Sequence, residues 1–110
     1  MCDHGKYARE LNYLIQYGRD DWVGFSVVSG AVGTVLGPGV GLEMQQTLTL
    51  RLVSDMYDAG VVPGDLTESQ DRPFIPWPGT KGEAISRIAN EMKELPALPD
   101  SGDICWFSAE

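Results

Sequence analysis

Histidine is almost absent from this chain: His4 is the only one, and it stands close to the start. With no serine or cysteine set beside a histidine, nucleophilic catalysis lacks its usual base. Cysteine is nearly as scarce, with only Cys2 and Cys105 near opposite ends. Two thiols do not make a disulfide framework, and a reducing compartment is the default. Cys2-x-His4 offers two ligands where a metal site needs three or four, so no metal is expected. Neither Gly-x-Gly-x-x-Gly after a strand nor Gly-Lys-Ser/Thr occurs, so no cofactor is expected either. Bases are few, eight Lys and Arg against sixteen Asp and Glu, and they never form a run. Gripping a phosphate backbone needs clustered cations that displace counterions, so direct nucleic-acid binding is disfavoured. Met1–Glu10 holds neither a basic start followed by an apolar run nor a cleavage site, which predicts a cytoplasmic protein. These absences argue against an enzyme and leave only carboxylate chemistry open.

What is present is lopsided. Residues 1–53 carry five acids and four bases, whereas 54–110 carry eleven acids and four bases, so −7 of the net −8 belongs to the second half. Between Asp21 and Glu43 there are 21 residues without a charge. That run raises the question of a membrane span, and Gly33, Gly37 and Gly41 have the small-residue spacing of membrane helix faces. Its six glycines, its hydroxyl residues and Pro38 argue instead for a short buried helix followed by a turn. At 110 residues the chain reads as one domain, 1–110, with an ordinary 43% apolar content.

Tyr7, Leu11, Leu14 and Ile15 lie on one face of a first helix that Gly18 is expected to end. Arg19–Asp21 reads as a polar turn whose acids suit a helix start. Ser26 is the expected N-cap of a second helix carrying Val28, Val32, Val35 and Leu36, closed by the Gly37–Gly41 run. Residues 45–53 are ambiguous, because Thr47 to Leu52 alternates like a strand while Leu48, Leu52, Val53, Met56 and Tyr57 follow a helical stripe. The stripe continues to an Ala59-Gly60 stop, so a helix over Met44–Tyr57 is preferred. Val61-Val62 opens a strand that Pro63-Gly64-Asp65 is expected to turn, Leu66–Pro73 reads as a polar loop, and Pro76 and Pro78 keep Phe74–Trp77 out of a sheet centre. Thr80-x-x-Glu83 is a capping box for a helix with Ile85, Ile88, Met92 and Leu95 on one side, ended by Pro96. A last short strand falls at Asp103–Phe107. The expected architecture is α+β: three N-terminal helices, a small C-terminal sheet and one further helix.

The phrase Leu52–Leu66, a helix ending in Ala-Gly and followed by a short apolar strand, resembles the third helix and wing strand of winged-helix domains. Asp21-Trp22, Pro76-Trp77 and Gly102-Asp103-Ile104-Cys105-Trp106 together resemble a group of small acidic bacterial proteins without assigned chemistry. Some of those sit beside toxins as immunity factors. This resemblance implies a protein that neutralises a basic toxin. The winged-helix resemblance implies a transcription regulator or, with its charge reversed, a DNA mimic.

Asp65, Glu68, Asp71, Asp100 and Asp103 are the candidate contacts for a basic protein partner, since charge of one sign steers and selects an oppositely charged one. Trp77, between two prolines beside the acidic loop, is the candidate aromatic anchor. For the acids, the plainer reading is solubility. The Asp65-x-x-Glu68-x-x-Asp71 spacing does not match a calcium loop. Three tryptophans, Trp22, Trp77 and Trp106, are expected mainly as core anchors, each indole N–H meeting a carbonyl.

Overall fold

The computed structural model describes residues 4–109. In chain order it has α1 (His4–Asp20), β1 (Val23–Gly24), α2 (Phe25–Leu36), α3 (Leu42–Asp58), β2 (Val62–Leu66), β3 (Phe74–Pro76), α4 (Lys81–Lys93) and β4 (Trp106–Ser108). The four strands form one antiparallel sheet in the order β1-β4-β2-β3. The fold is a small α+β domain, with a radius of gyration of 13.3 Å, close to the ~13 Å of a single compact unit of this length.

One core joins the helices to one face of the sheet. Leu14, Phe25, Val28, Val32, Leu52, Val53, Met56 and Ile88 are fully buried in it with Val23 and Phe107 from the strands. The ring of Phe107 meets that of Phe25 edge-on, centroids 5.3 Å apart. In α3 the helix wins over the strand. Thr47 and Thr49, two of the three polar positions of the strand-like alternation, donate their hydroxyls to the carbonyls of Glu43 and Gln45 four residues back. Thr49, fully buried, therefore leaves no polar atom unpaired. No helix among the described residues is long and apolar enough to cross a membrane.

Several local expectations are corrected by packing. Helix α1 does not stop at Gly18 but runs to Asp20. A Cβ at Gly18 would lie 2.7 Å from Val61 Cγ1, so this glycine serves a close approach rather than a helix end. Asp20 and Asp21 thus stand at the C-terminal end of α1, where negative charge is unfavourable. Ser26 is not the N-cap of α2; Gly24 is, without a side-chain bond, and the Ser26 hydroxyl pairs with that of Ser101 at 2.6 Å.

Pro63-Gly64-Asp65 does not turn the chain but lies inside β2, which also takes in Leu66. The Pro63 carbonyl accepts the Trp77 N–H at 3.0 Å, so the donor that proline lacks would face the last rung of the β2–β3 ladder. Pro76 ends the edge strand β3 as its chemistry demands, its missing N–H turned to the outer edge. One rung, Gly24–Trp106–Gly64–Pro76, crosses the whole sheet. The final strand begins at Trp106 rather than Asp103, because Asp100–Asp103 closes a turn first.

The tryptophans are not the core anchors. Trp22 is 38% exposed and Trp77 and Trp106 are half-buried, whereas the fully buried aromatics are Phe25, Phe74 and Phe107. The capping box forms as its sequence predicts: Glu83 N–H donates to Thr80 Oγ1 and Thr80 N–H to Glu83 Oε1. The Thr80 N–H, and secondarily its hydroxyl, hold the Glu83 carboxyl below its ordinary pKa. Thr80→Ala is expected to lower stability by about 1 kcal/mol, read as a reduced urea midpoint at unchanged slope.

Candidate protein-binding surface

Sheet register decides which of the candidate acids lie toward the same end of the sheet. Strands β2 and β3 pair through Asp65↔Ile75 and Leu66↔Phe74, so loop 67–73 closes their hairpin at the C-terminal end of β2. Strand β4 runs antiparallel to β2, with Gly64 opposite Trp106 and Val62 opposite Ser108. The segment that enters β4 therefore arrives at that same end. Glu68, Asp71, Asp100 and Asp103 come from segments some 30 residues apart, yet share one end of the sheet.

The two acidic segments are held differently. In loop 67–73, Thr67 N–H donates to Pro73 O at 2.7 Å and its hydroxyl to Arg72 O at 2.6 Å. Ser69 N–H donates back to Thr67 Oγ1, and Arg72 N–H to Ser69 Oγ. Hydroxyls and backbone thus fix the loop, and the exposed carboxylates of Glu68 and Asp71 take no part in it. In the turn 100–103, Asp103 Oδ2 accepts the Asp100 N–H at 2.6 Å, and Asp100 Oδ1 accepts the Ser101 N–H at 2.8 Å. Each of these carboxylates uses one oxygen to close the turn, which the Ser29 hydroxyl ties to α2 through Pro99 O.

Asp65 and Trp77 belong to a third arrangement. The Trp77 indole N–H donates to Asp65 Oδ2 at 3.2 Å, not to a carbonyl. Arg87 lies over the ring at 3.7 Å from its centroid, and its Nε pairs with Glu91 at 2.9 Å. The polar handle and one face of Trp77 are therefore engaged within the chain. Arg87 is a residue that sequence reading misses, although its i,i+4 spacing to Glu91 is visible there.

Beneath this ladder lies Cys105, a free, buried thiol. Burial first, then the charges of Asp65 and Glu91, push its pKa up, so it remains a thiol rather than a nucleophilic thiolate. Tyr7 is raised likewise, by burial and then by its hydroxyl's bond to the Asp55 carboxylate. No group of three His, Cys, Asp or Glu among the described residues could hold a metal ion. Cys2 lies outside the described residues, and with it the Cys2-x-His4 motif and any pairing of Cys2 with Cys105.

The chain matches no protein-family model, no curated protein and no solved structure.

Proposed function

We propose that this is a cytoplasmic, non-catalytic binding protein that neutralises a basic protein partner, an immunity factor against a bacterial toxin. The observation that carries the reading is that Glu68 and Asp71, on a loop fixed by its own hydroxyls, share an end of the sheet with the Asp100–Asp103 turn. Acids on a fixed loop lose little conformational freedom when a partner docks. Their common sign accelerates encounter with a cationic surface and disfavours acidic competitors. The resemblance of Asp21-Trp22, Pro76-Trp77 and Gly102–Trp106 to toxin-associated acidic proteins points the same way.

A second reading is favoured by one feature: α3 runs directly into β2, as the resemblance to winged-helix domains implies. Against DNA contact, Arg51 is the only base of α3, and its guanidinium lies over the Tyr7 ring at 4.4 Å. The other charges of that helix, Glu43, Asp55 and Asp58, are acidic, so a regulator would lack cations for phosphate. A DNA mimic remains compatible with them.

Extract passed over the immobilised protein at low and high salt tests the proposal. A basic partner is expected to be retained at low salt, and released at high salt and by the double change Glu68→Lys/Asp71→Lys. With that partner purified, the double variant should slow association about tenfold or more and alter dissociation less. Co-expression with a partner toxin should restore growth. Absence of any partner at either salt would defeat the reading, and a sequence-specific electrophoretic shift at low salt would favour the regulator.

A further inference from the structure

We propose that the corner formed by Tyr13 and Tyr17 on α1, flanked by Asp20 and Asp21, receives a guanidinium group, the side chain of an arginine on the partner. The inference rests on the reading of a basic partner, but it concerns a different place. The end of α1 adjoins the C-terminal end of β4, where Ala109 N–H donates to Gly18 O, opposite to the end that holds loop 67–73.

Tyr13, Gln16, Tyr17 and Asp20 follow i, i+3, i+4, i+7 spacing and share one face of the helix. With Asp21 they line an open cavity of about 360 Å³. The two rings stand 5.9 Å apart at 80°, as adjoining walls. Tyr13 is 53% exposed, a large aromatic surface that the core does not use. Neither carboxylate has an ion-pair partner among the described residues. Asp21 accepts the Trp22 N–H through Oδ1 at 2.7 Å, which orients it. Arg19 stands next to Asp20 in sequence but about 100° round the helix, and it does not line the cavity.

Three sources of negative potential converge there: two carboxylates, the electron-rich ring faces and the C-terminal end of the α1 dipole. A cation would relieve the repulsion that Asp20 and Asp21 feel at that helix end. A metal ion does not fit, because no group of three His, Cys, Asp or Glu among the described residues could hold one and a tyrosine face is not a ligand. A planar guanidinium fits, since it can stack on a ring while donating in pairs to a carboxylate.

The chain uses this grouping twice with its own arginines. Arg51 lies over Tyr7, whose hydroxyl donates to Asp55, and Arg87 lies over Trp77 while pairing with Glu91. The Tyr13–Tyr17–Asp20–Asp21 corner has the same aromatic and acidic parts, and no arginine of the described chain lines it.

The test is an NMR titration of the full chain with N-acetyl-arginine amide, its neutral isostere N-acetyl-citrulline amide, and N-acetyl-lysine amide. Saturating shifts confined to Tyr13, Gln16, Tyr17, Asp20 and Asp21 are expected with the arginine compound, and none with citrulline. Tyr13→Ala and Asp20→Asn should each weaken binding, together about tenfold. The double change Glu68→Lys/Asp71→Lys should leave it unaltered, so this outcome is separable from that of the partner assay. Absence of saturation, equal shifts with citrulline, or shifts centred on loop 67–73 would overturn the proposal. Equal binding of the lysine compound would overturn the assignment to guanidinium.

Discussion

Replacing Gly64 by alanine is expected to destabilise the protein by about 3 kcal/mol, at the upper end of the usual cost of overpacking. The added Cβ would lie 2.4 Å from the Ile75 carbonyl oxygen, 2.6 Å from Phe74 Cζ and 2.9 Å from the Ile75 carbonyl carbon. Two of those three atoms are backbone of the paired strand. They cannot turn aside without opening the β2–β3 ladder, and Phe74 is itself only 1% exposed. Other glycines supply internal controls. At Gly24 the nearest obstacle is the Ser101 hydroxyl at 2.2 Å, a side-chain atom that can turn aside by giving up its bond to Ser26, so alanine there should cost less than at Gly64. At Gly30, within α2, nothing lies within 4 Å of the added carbon. Gly30→Ala should therefore stabilise by about 0.5–1 kcal/mol through helix propensity. Urea unfolding of the three variants gives the order directly. Equal costs at Gly64 and Gly30 would mean that β3 does not cross Gly64 at the distance described.

The contrast among these glycines shows which parts of the fold are legible in sequence. Helical periodicity reveals all four helices, because each buries one stripe and the spacing of that stripe is a local property. The Thr80–Glu83 capping box is legible for the same reason, since both of its bonds close within four residues. Pro63-Gly64-Asp65 is not. Taken alone it has turn chemistry, and only its pairing with Trp106, 42 positions away, and Pro76 makes it a strand.

The candidate site divides along the same line. Its acids can be named from charge alone. That Glu68 and Asp71 share a sheet end with Asp100 and Asp103 follows from the β4–β2 register, which no short window contains. The engagement of Trp77, just after β3, by Asp65 of β2 and Arg87 of α4 is equally non-local. Asp20 and Asp21 look suited to a helix start until α1 is seen to run past Gly18, because Gly18 reads as a stop until Val61 is packed against it.

Phe107→Ala is expected to cost about 3–5 kcal/mol, a large part of the roughly 5–15 kcal/mol that holds a domain of this size folded. Phe107 is fully buried on β4, with Val23 of β1 beside it on one side and Pro63 of β2 on the other. Its ring reaches Phe25, the first residue of α2, so it is the point where sheet and helices share one core. Loss of the ring leaves a cavity that collapse cannot easily fill. The start of α2 is held at a distance by the Ser26–Ser101 and Ser29–Pro99 hydrogen bonds, and Val23 and Pro63 are fixed by strand pairing. Phe107→Leu keeps most of the volume and should cost under about 1.5 kcal/mol, while Met44→Ala, at a residue 56% exposed, should stay within about 0.5 kcal/mol. The ranking is read from urea midpoints at constant slope, with amide exchange reporting how far the damage extends. Protection should fall in β1, β2 and α2 together, because one side chain links them. A loss confined to β4, or a cost below about 1 kcal/mol, would show that the sheet and the helices do not share the core that the Phe107–Phe25 contact implies. The same variant bears on the proposed function, since the β4–β2 register that Phe107 stabilises puts the Asp100–Asp103 turn at the same sheet end as Glu68 and Asp71. On the proposed function, association with the basic partner should therefore slow in Phe107→Ala by more than its unfolded fraction explains, whereas the arginine compound should still bind at the end of α1.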